Sequence, residues 1–346
     1  MKVRISKIFA LMLVFMVSVS SSAASQAYEI RISSVFATDH PVVQAYHWFG
    51  EQLVERSDGR FSYVIFDNGV LAGGDREGIE ITRQGTVQLT TTTAYTLALT
   101  GGAAANSQQF LQLPFVFDLD QQLYDFMSTE VGQSIIDDMQ NAVGVGVIPG
   151  GFLQGTVAMM FRNVAVSSPE DLRGLRIRTP GAIMINHTID QFGASPVAMA
   201  FGETYTALEQ GTVDAAYSNV LVFYYQQIHD VARHLLIFDT KADLTVLIYN
   251  LDFVNSLPDD LKVIWYEALI ELNQKLRDDL VAAQENSIER LREIIETVHI
   301  PEGEEFGEWQ NIGRQAWGPA IETMGYDFFE RAMNAAGVEI PEMFRQ

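Results

Sequence analysis

One stretch, residues 171–215, constrains the fold more than any other part of the 346-residue chain. Leu175, Arg176, Ile177 and Arg178 alternate apolar with basic, as a half-buried strand does, and Pro180-Gly181 ends that strand before a helical pattern over 182–192. Gly193-Ala194-Ser195-Pro196 then reads as a tight turn into a second short strand. A short helix stopped by Gly211 follows, and then a third strand through Asp214 to Tyr217. The order β-α-β-α-β belongs to an open α/β sheet, in which ligands settle outside the carboxyl ends of the strands. Arg178 stands at such an end, and a guanidinium is the side chain best shaped to hold a carboxylate by two parallel hydrogen bonds.

The first third of the chain reads the same way. A strand at 29–34 precedes a helix at 41–57 with Val42, Tyr46, Phe49 and Leu53 on one face; a strand at 61–66, a helix at 76–84 and a strand at 85–90 follow. These strand ends deliver His40, Asn68 and the run Thr90-Thr91-Thr92-Thr93-Ala94-Tyr95 to the same kind of edge. Four hydroxyls suit a polar ligand or plain strand-forming sequence equally, and Tyr95 and Phe201 serve either as core aromatics or as walls of a site. From Ser256 the pattern turns helical, with apolar positions at Leu261, Trp265, Leu269, Leu272, Leu276, Leu280, Ile288, Leu291 and Ile295 and an interruption expected near 284–287.

Composition narrows the function class. Lys2, Arg4 and Lys7, the apolar run 8–19 and small residues up to Ala27 form the three-part pattern of a secretory signal, too short to span a bilayer, which takes about 20 residues. Cleavage after Ala24 or Ala27 takes the formal charge from −22 to −25, since the segment holds three basic residues and no acidic one. Nucleic acid needs clustered Lys and Arg, so this balance disfavours it; a lone arginine holding an anion must sit in a deep, focused pocket. The chain has no cysteine, which removes disulfides, thiolate metal sites and a lipid anchor. Its six histidines show no metal-ligand spacing, no G-x-G-x-x-G or G-x-S-x-G motif is present, and an enzyme is not expected.

The motif Arg178-x-Pro180, Gly193-Ala194-x-Pro196, Phe201-x-Glu203-x-Tyr205-x-Ala207-Leu208-x-x-Gly211-x-Val213-Asp214 resembles the central signature of the solute-binding proteins of tripartite ATP-independent periplasmic (TRAP) transporters. His40-Pro41, the run from Gly73 to Glu77, the run from Leu113 to Phe117 and the C-terminal helical region have counterparts there, so the resemblance covers almost the whole mature chain. It implies a two-lobed α/β fold of the type II-like periplasmic binding protein class, with a cleft between lobes and a long bracing C-terminal helix. The expected division is a signal at 1–27, lobe I at 28–150 with a returning segment at 241–280, and lobe II at 151–240 with C-terminal helices at 281–346. It further implies capture of a small organic acid in the periplasm, without a cofactor, and delivery to a small and a large membrane subunit driven by an ion gradient. A periplasmic sensor reporting to a membrane kinase is the alternative.

The ligand-binding residues expected on these grounds are Arg178, Phe201, Ser218, Asn219, Gln154, Thr93, Tyr95 and His40. Ser218 and Asn219 are both named because the register of the polar contact that the resemblance implies is ambiguous by one. Glu203 is expected to cap or to bridge the lobes, because its charge would repel an acid. The resemblance also implies a second arginine, at the position held here by Ala158. Its absence favours monocarboxylates over dicarboxylates unless Arg162 swings in.

Overall fold

The computed structural model describes residues 27–241 and 244–346, so the expected signal segment lies outside the described residues but for Ala27. In chain order the strands are β1 (Tyr28–Ser33), β2 (Phe61–Phe66), β3 (Leu89–Thr93), β4 (Gly146–Val147), β5 (Phe152–Leu153) and β6 (Val157–Phe161). They continue as β7 (Arg176–Thr179), β8 (Ser195–Ala198), β9 (Ala215–Asn219), β10 (His234–Ile237), β11 (Leu244–Tyr249) and β12 (Thr297–His299). One sheet has the order β2-β1-β3-β11-β4, with β5 also on β11; the other has the order β12-β10-β6-β9-β7-β8. The two sheets are the centres of two lobes, as expected.

Sequence pattern and burial agree in the first lobe. The helix Pro41–Arg56 buries Val42, Tyr46, Phe49 and Leu53, the face its spacing marks out. The third strand starts later than the sequence implies, at Leu89 instead of Gly85, because Gly85 takes a positive φ of 77° and turns the chain out of the preceding helix. That shift sets Thr93, rather than Thr90, at the strand end.

The chain crosses between lobes at residues 154–156, again after β10, and again along the helix Asp259–Ile294. This helix is continuous over 36 residues, with no interruption at 284–287. The polar residues there face the crossing: the Gln284 side chain accepts from the Thr156 amide at 2.5 Å, and Ser287 is fully buried. Its first half packs Leu261, Trp265, Leu269, Leu272 and Leu276 into the core of the first lobe, whereas Leu291 joins the core of the second. Arg277 donates to the Gly151 carbonyl at 2.9 Å and lies 3.9 Å from the centre of the Tyr124 ring. The helix thus braces both lobes and clasps the crossing strand.

The C-terminal helices divide otherwise than expected. Among the described residues after 281, the end of the long helix at Leu291, β12 and the helix Gly303–Arg314 join the second lobe, where Trp309 packs on Phe192 and Phe238. The helices Trp317–Met324 and Tyr326–Ala336 cover the first lobe, with Trp317, Ala320, Phe329 and Met333 in one core with Phe110, Phe126 and Met139. The helices Asp120–Met127 and Glu130–Val143 leave an apolar face that these residues bury, and the Trp317 indole donates to the Pro114 carbonyl at 3.0 Å.

Candidate functional site

β7 shows how the sequence places one arginine in solvent and the next in a cleft. Arg176 is exposed and pairs with Asp214 at 2.7 Å, holding that carboxyl below the usual carboxylate range. Two residues on, on the same face of the strand, Arg178 is only 4% exposed. Its guanidinium donates to the carbonyls of Met199 (3.0 Å) and Tyr217 (3.4 Å) and lies 5.5 Å from the centre of the Phe201 ring. Those two carbonyls orient the fork, and the aromatic face supplies further attraction.

Arg178 opens into a cavity of about 710 Å³ between the lobes. The second lobe contributes Met199, Phe201, Tyr217, Ser218 and Asn219; the first contributes Phe36, Asp75, Thr93, Tyr95, Thr96 and Leu99; Gln154 comes from the crossing. At the rim the lobes touch. A Cβ placed on Gly202 would lie 3.5 Å from the Gly73 carbonyl oxygen, and one on Gly74 would lie 4.0 Å from the Ala200 Cβ. The Gln226 side chain of the second lobe donates to the Val35 carbonyl of the first at 3.0 Å.

Seven of the expected site residues meet in this cavity: Thr93, Tyr95, Gln154, Arg178, Phe201, Ser218 and Asn219. Both candidates of the ambiguous pair line it. The Asn219 side chain accepts from Val222 N at 3.0 Å, capping the helix Val220–Tyr225, and donates to Gln154 Oε1 at 3.4 Å. Tyr95 is both core and wall, being 8% exposed within the apolar cluster of the second lobe. Glu203 caps as expected, accepting from Ala200 N at 3.0 Å.

His40 does not line the cavity. It is fully buried as the N-cap of the helix Pro41–Arg56, its Nδ1 accepting from Val42 N at 3.2 Å, and its ring stacks on Phe36 at 4.3 Å. It therefore backs a wall residue instead of touching the ligand space, since burial without a carboxylate partner makes the neutral, acceptor form the useful one. Burial lowers its pKa from 6.5 to about 3. The unfolded chain consequently takes up a proton that the fold refuses, so this stability term is intact above pH 6.5 and is lost as pH falls toward 3. The variant His40→Asn, which keeps an N-cap acceptor, should unfold in urea with a shallower loss of stability between pH 6.5 and pH 4 than the wild type; equal slopes would contradict this.

The position of the second arginine also needs correction. Ala158 is fully buried in the core of the second lobe, away from the cavity wall. Arg162 follows the far end of β6: Val157 pairs with Asn219 beside the cavity, whereas Phe161 pairs with Ala215, and the Arg162 side chain donates to the Glu209 carbonyl at 3.3 Å. At about 3.3 Å per residue, the four-residue span from Val157 to Phe161 is roughly 13 Å, so Arg162 cannot swing in. The cavity does carry another cation that motif reading missed. Arg76, exposed, lines it beside Asp75 and Glu77, from the run Gly73-Gly74-Asp75 that introduces the helix Asp75–Arg83.

The model of bacterial extracellular solute-binding protein, family 7, matches residues 32–323. A solute-binding protein of Chromohalobacter salexigens is 28% identical over 210 residues, 61% of this chain and 60% of that protein. Among solved structures, a TRAP periplasmic solute binding protein from Sulfurospirillum deleyianum with bound succinate superposes with a TM-score of 0.81 at 21% identity, over 89% of this chain and 99% of that one. Another, from Sulfitobacter sp. NAS-14.1 with bound beta-D-galacturonate, does so with a TM-score of 0.78 at 20% identity and the same coverage. Two sheets with a buried cleft arginine between them, and a family match over most of the chain, lead to one conclusion: the chain belongs to bacterial extracellular solute-binding protein family 7, a family of binding proteins and not of enzymes.

Proposed function

We propose that this chain captures a small organic acid by pairing its carboxylate with Arg178, and delivers it to the membrane subunits of a TRAP transporter in the periplasm. The observation that carries the reading is a buried guanidinium that lines an interlobe cavity and is oriented by the Met199 and Tyr217 carbonyls beside the Phe201 ring. A carboxylate entering there meets a guanidinium, whose planar fork matches it by two parallel hydrogen bonds. Succinate and beta-D-galacturonate, bound by two structural neighbours, share one chemical feature, a carboxylate. A ligand touching both lobes stabilises the closed form by its differential affinity for closed over open, and the rim contacts at Gly73 and Gly202 are the kind that closure makes.

The test uses protein recovered from the periplasm, whose mass should correspond to a chain beginning near Ser25 or Tyr28. Titrated by calorimetry with small acids and with the matching amides, it should bind acids and ignore amides. Acids and amides binding alike would remove the carboxylate from the reading; an intact Met1 form confined to the cytoplasm would remove the location.

A further inference from the structure

Phe115 belongs to the first lobe by its neighbours and to the second by its side chain. Leu113, Val116 and Phe117 pack in the core of the first lobe with Phe110 and Phe126. The Phe115 ring, 1% exposed, lies instead in the core of the second, edge-on to Phe306 and Phe238 at centroid distances of 5.7 and 6.4 Å. The backbone turns to allow this: φ is 61°, a region that a bulky residue adopts only where its surroundings over-determine it. Those surroundings are two of the passages between the lobes. The Phe115 amide donates to the Thr240 carbonyl at 2.9 Å, on the passage after β10. The Phe115 carbonyl accepts from the Arg314 side chain at 3.0 Å, where the chain leaves the helix Gly303–Arg314 for the first lobe. Asp239 and Lys241, on either side of Thr240, also have positive φ, so three of the six non-glycine residues of that kind among the described residues meet at this junction. Gly313 shapes the seat of the ring, since a Cβ there would lie 2.5 Å from the Phe115 Cε2. Tyr95 is the other first-lobe side chain in the second core, but it lines the cavity and Phe115 does not.

We propose that Phe115 is the pivot of lobe closure, a ring seated in one lobe on a chain segment rooted in the other, and that it confines the relative motion of the lobes to one path. A ring packed at interior density resists sliding, because translation opens a void on one side and a clash on the other. Rotation about the ring keeps both contacts, and the passages beside it absorb the change in backbone angles, as hinges do at a few residues. The strained φ is held because the Thr240 and Arg314 bonds and the seated ring fix it together. Without the seated ring, the two passages are free to shear as well as to bend. This role is independent of which acid binds, since Phe115 lies outside the cavity lining.

The experiment measures the distance distribution between the lobes by pulsed electron paramagnetic resonance, in protein dialysed free of small acids. Spin labels are attached at Val70→Cys in the first lobe and Glu209→Cys in the second, both exposed positions in a chain with no cysteine of its own. The labelled wild type is compared with Phe115→Leu, Gly313→Ala and Phe110→Leu. Phe115→Leu shrinks the ring from its own side, and Gly313→Ala crowds it from the other with the Phe115 side chain intact, so the second carries the test should the first fail to fold. Both should broaden the distribution relative to wild type. Phe110→Leu alters an equally buried ring confined to the first core; it should lower the urea midpoint and keep the wild-type width, which separates a pivot from a merely stabilising side chain. A wild-type width in either folded seat variant, or the same broadening in Phe110→Leu, would overturn the proposal.

Discussion

Replacing Arg178 by alanine should lower the affinity for the cognate acid by at least tenfold while leaving the fold intact. The side chain is 4% exposed, so a carboxylate that reaches it has shed most of its water. Removing the cation leaves that charge buried and unpaired, a cost of about 2 to 5 kcal/mol in comparable truncations. Among the described residues the other cation lining the cavity, Arg76, comes from the first lobe, while Arg178 is fixed by second-lobe carbonyls at Met199 and Tyr217. Arg178→Lys is the sharper comparison, because it keeps the charge and loses the planar fork; it should recover only part of the affinity. Calorimetry gives the affinities and circular dichroism the fold. An affinity unchanged in Arg178→Ala would remove the central claim of the functional reading.

The acidic excess of the chain, −22 over its full length, sharpens this expectation. An anion approaching such a molecule is repelled by most of its surface, and the attraction needed to overcome this must be concentrated where water is scarce. A deep cleft with one oriented guanidinium meets that need, and a scattering of surface lysines would not. Affinity should therefore depend on the cleft residues far more than on exposed charges such as the pair of Arg176 with Asp214, which is worth little in high dielectric.

How much of this was legible in the sequence differs between the lobes. In the second lobe, alternation from Leu175 to Arg178 and the breaks at Pro180 and Gly193 marked strand, turn and helix, and Arg178 lies where that reading placed it. The first lobe was legible in its helices and in part of its site: Thr93 and Tyr95 line the cavity, whereas His40 does not. Thr93 was one of four equivalent threonines; only the turn at Gly85 and the pairing of β3 with β11 decide that it is the one at the strand end beside Asp75. Asp75 and Arg76 look in sequence like ordinary charges in the first turn of a helix, and only the approach of the other lobe turns that helix end into a cavity wall. His40 misled because a histidine after a strand reads as a ligand group, whereas here the following helix uses its ring nitrogen as a cap. The C-terminal helices misled because sequence order gives no hint that the chain returns to the first lobe after Arg314.

Trp265→Ala should destabilise the protein by about 3 to 5 kcal/mol, the range for deleting a fully buried large aromatic side chain. Trp265 is 0% exposed on the long helix, and its ring meets those of Phe49, Phe253 and Tyr249 at centroid distances of 5.6, 5.7 and 6.2 Å. Phe49 belongs to the helix Pro41–Arg56 and Tyr249 to β11, so one side chain joins three elements of the first lobe and no small shift can refill its volume. The site should respond differently. Trp265 lies outside the cavity lining, and the clasp of the same helix on the crossing strand, at Arg277 and Gln284, is left in place. Ligand affinity below the melting transition should accordingly stay within about threefold of wild type, as expected for sites with no shared partners. Urea unfolding read by fluorescence of the remaining tryptophans, alongside calorimetric titration, checks both halves; a loss below about 1 kcal/mol would show that the helix does not anchor the first lobe through this residue.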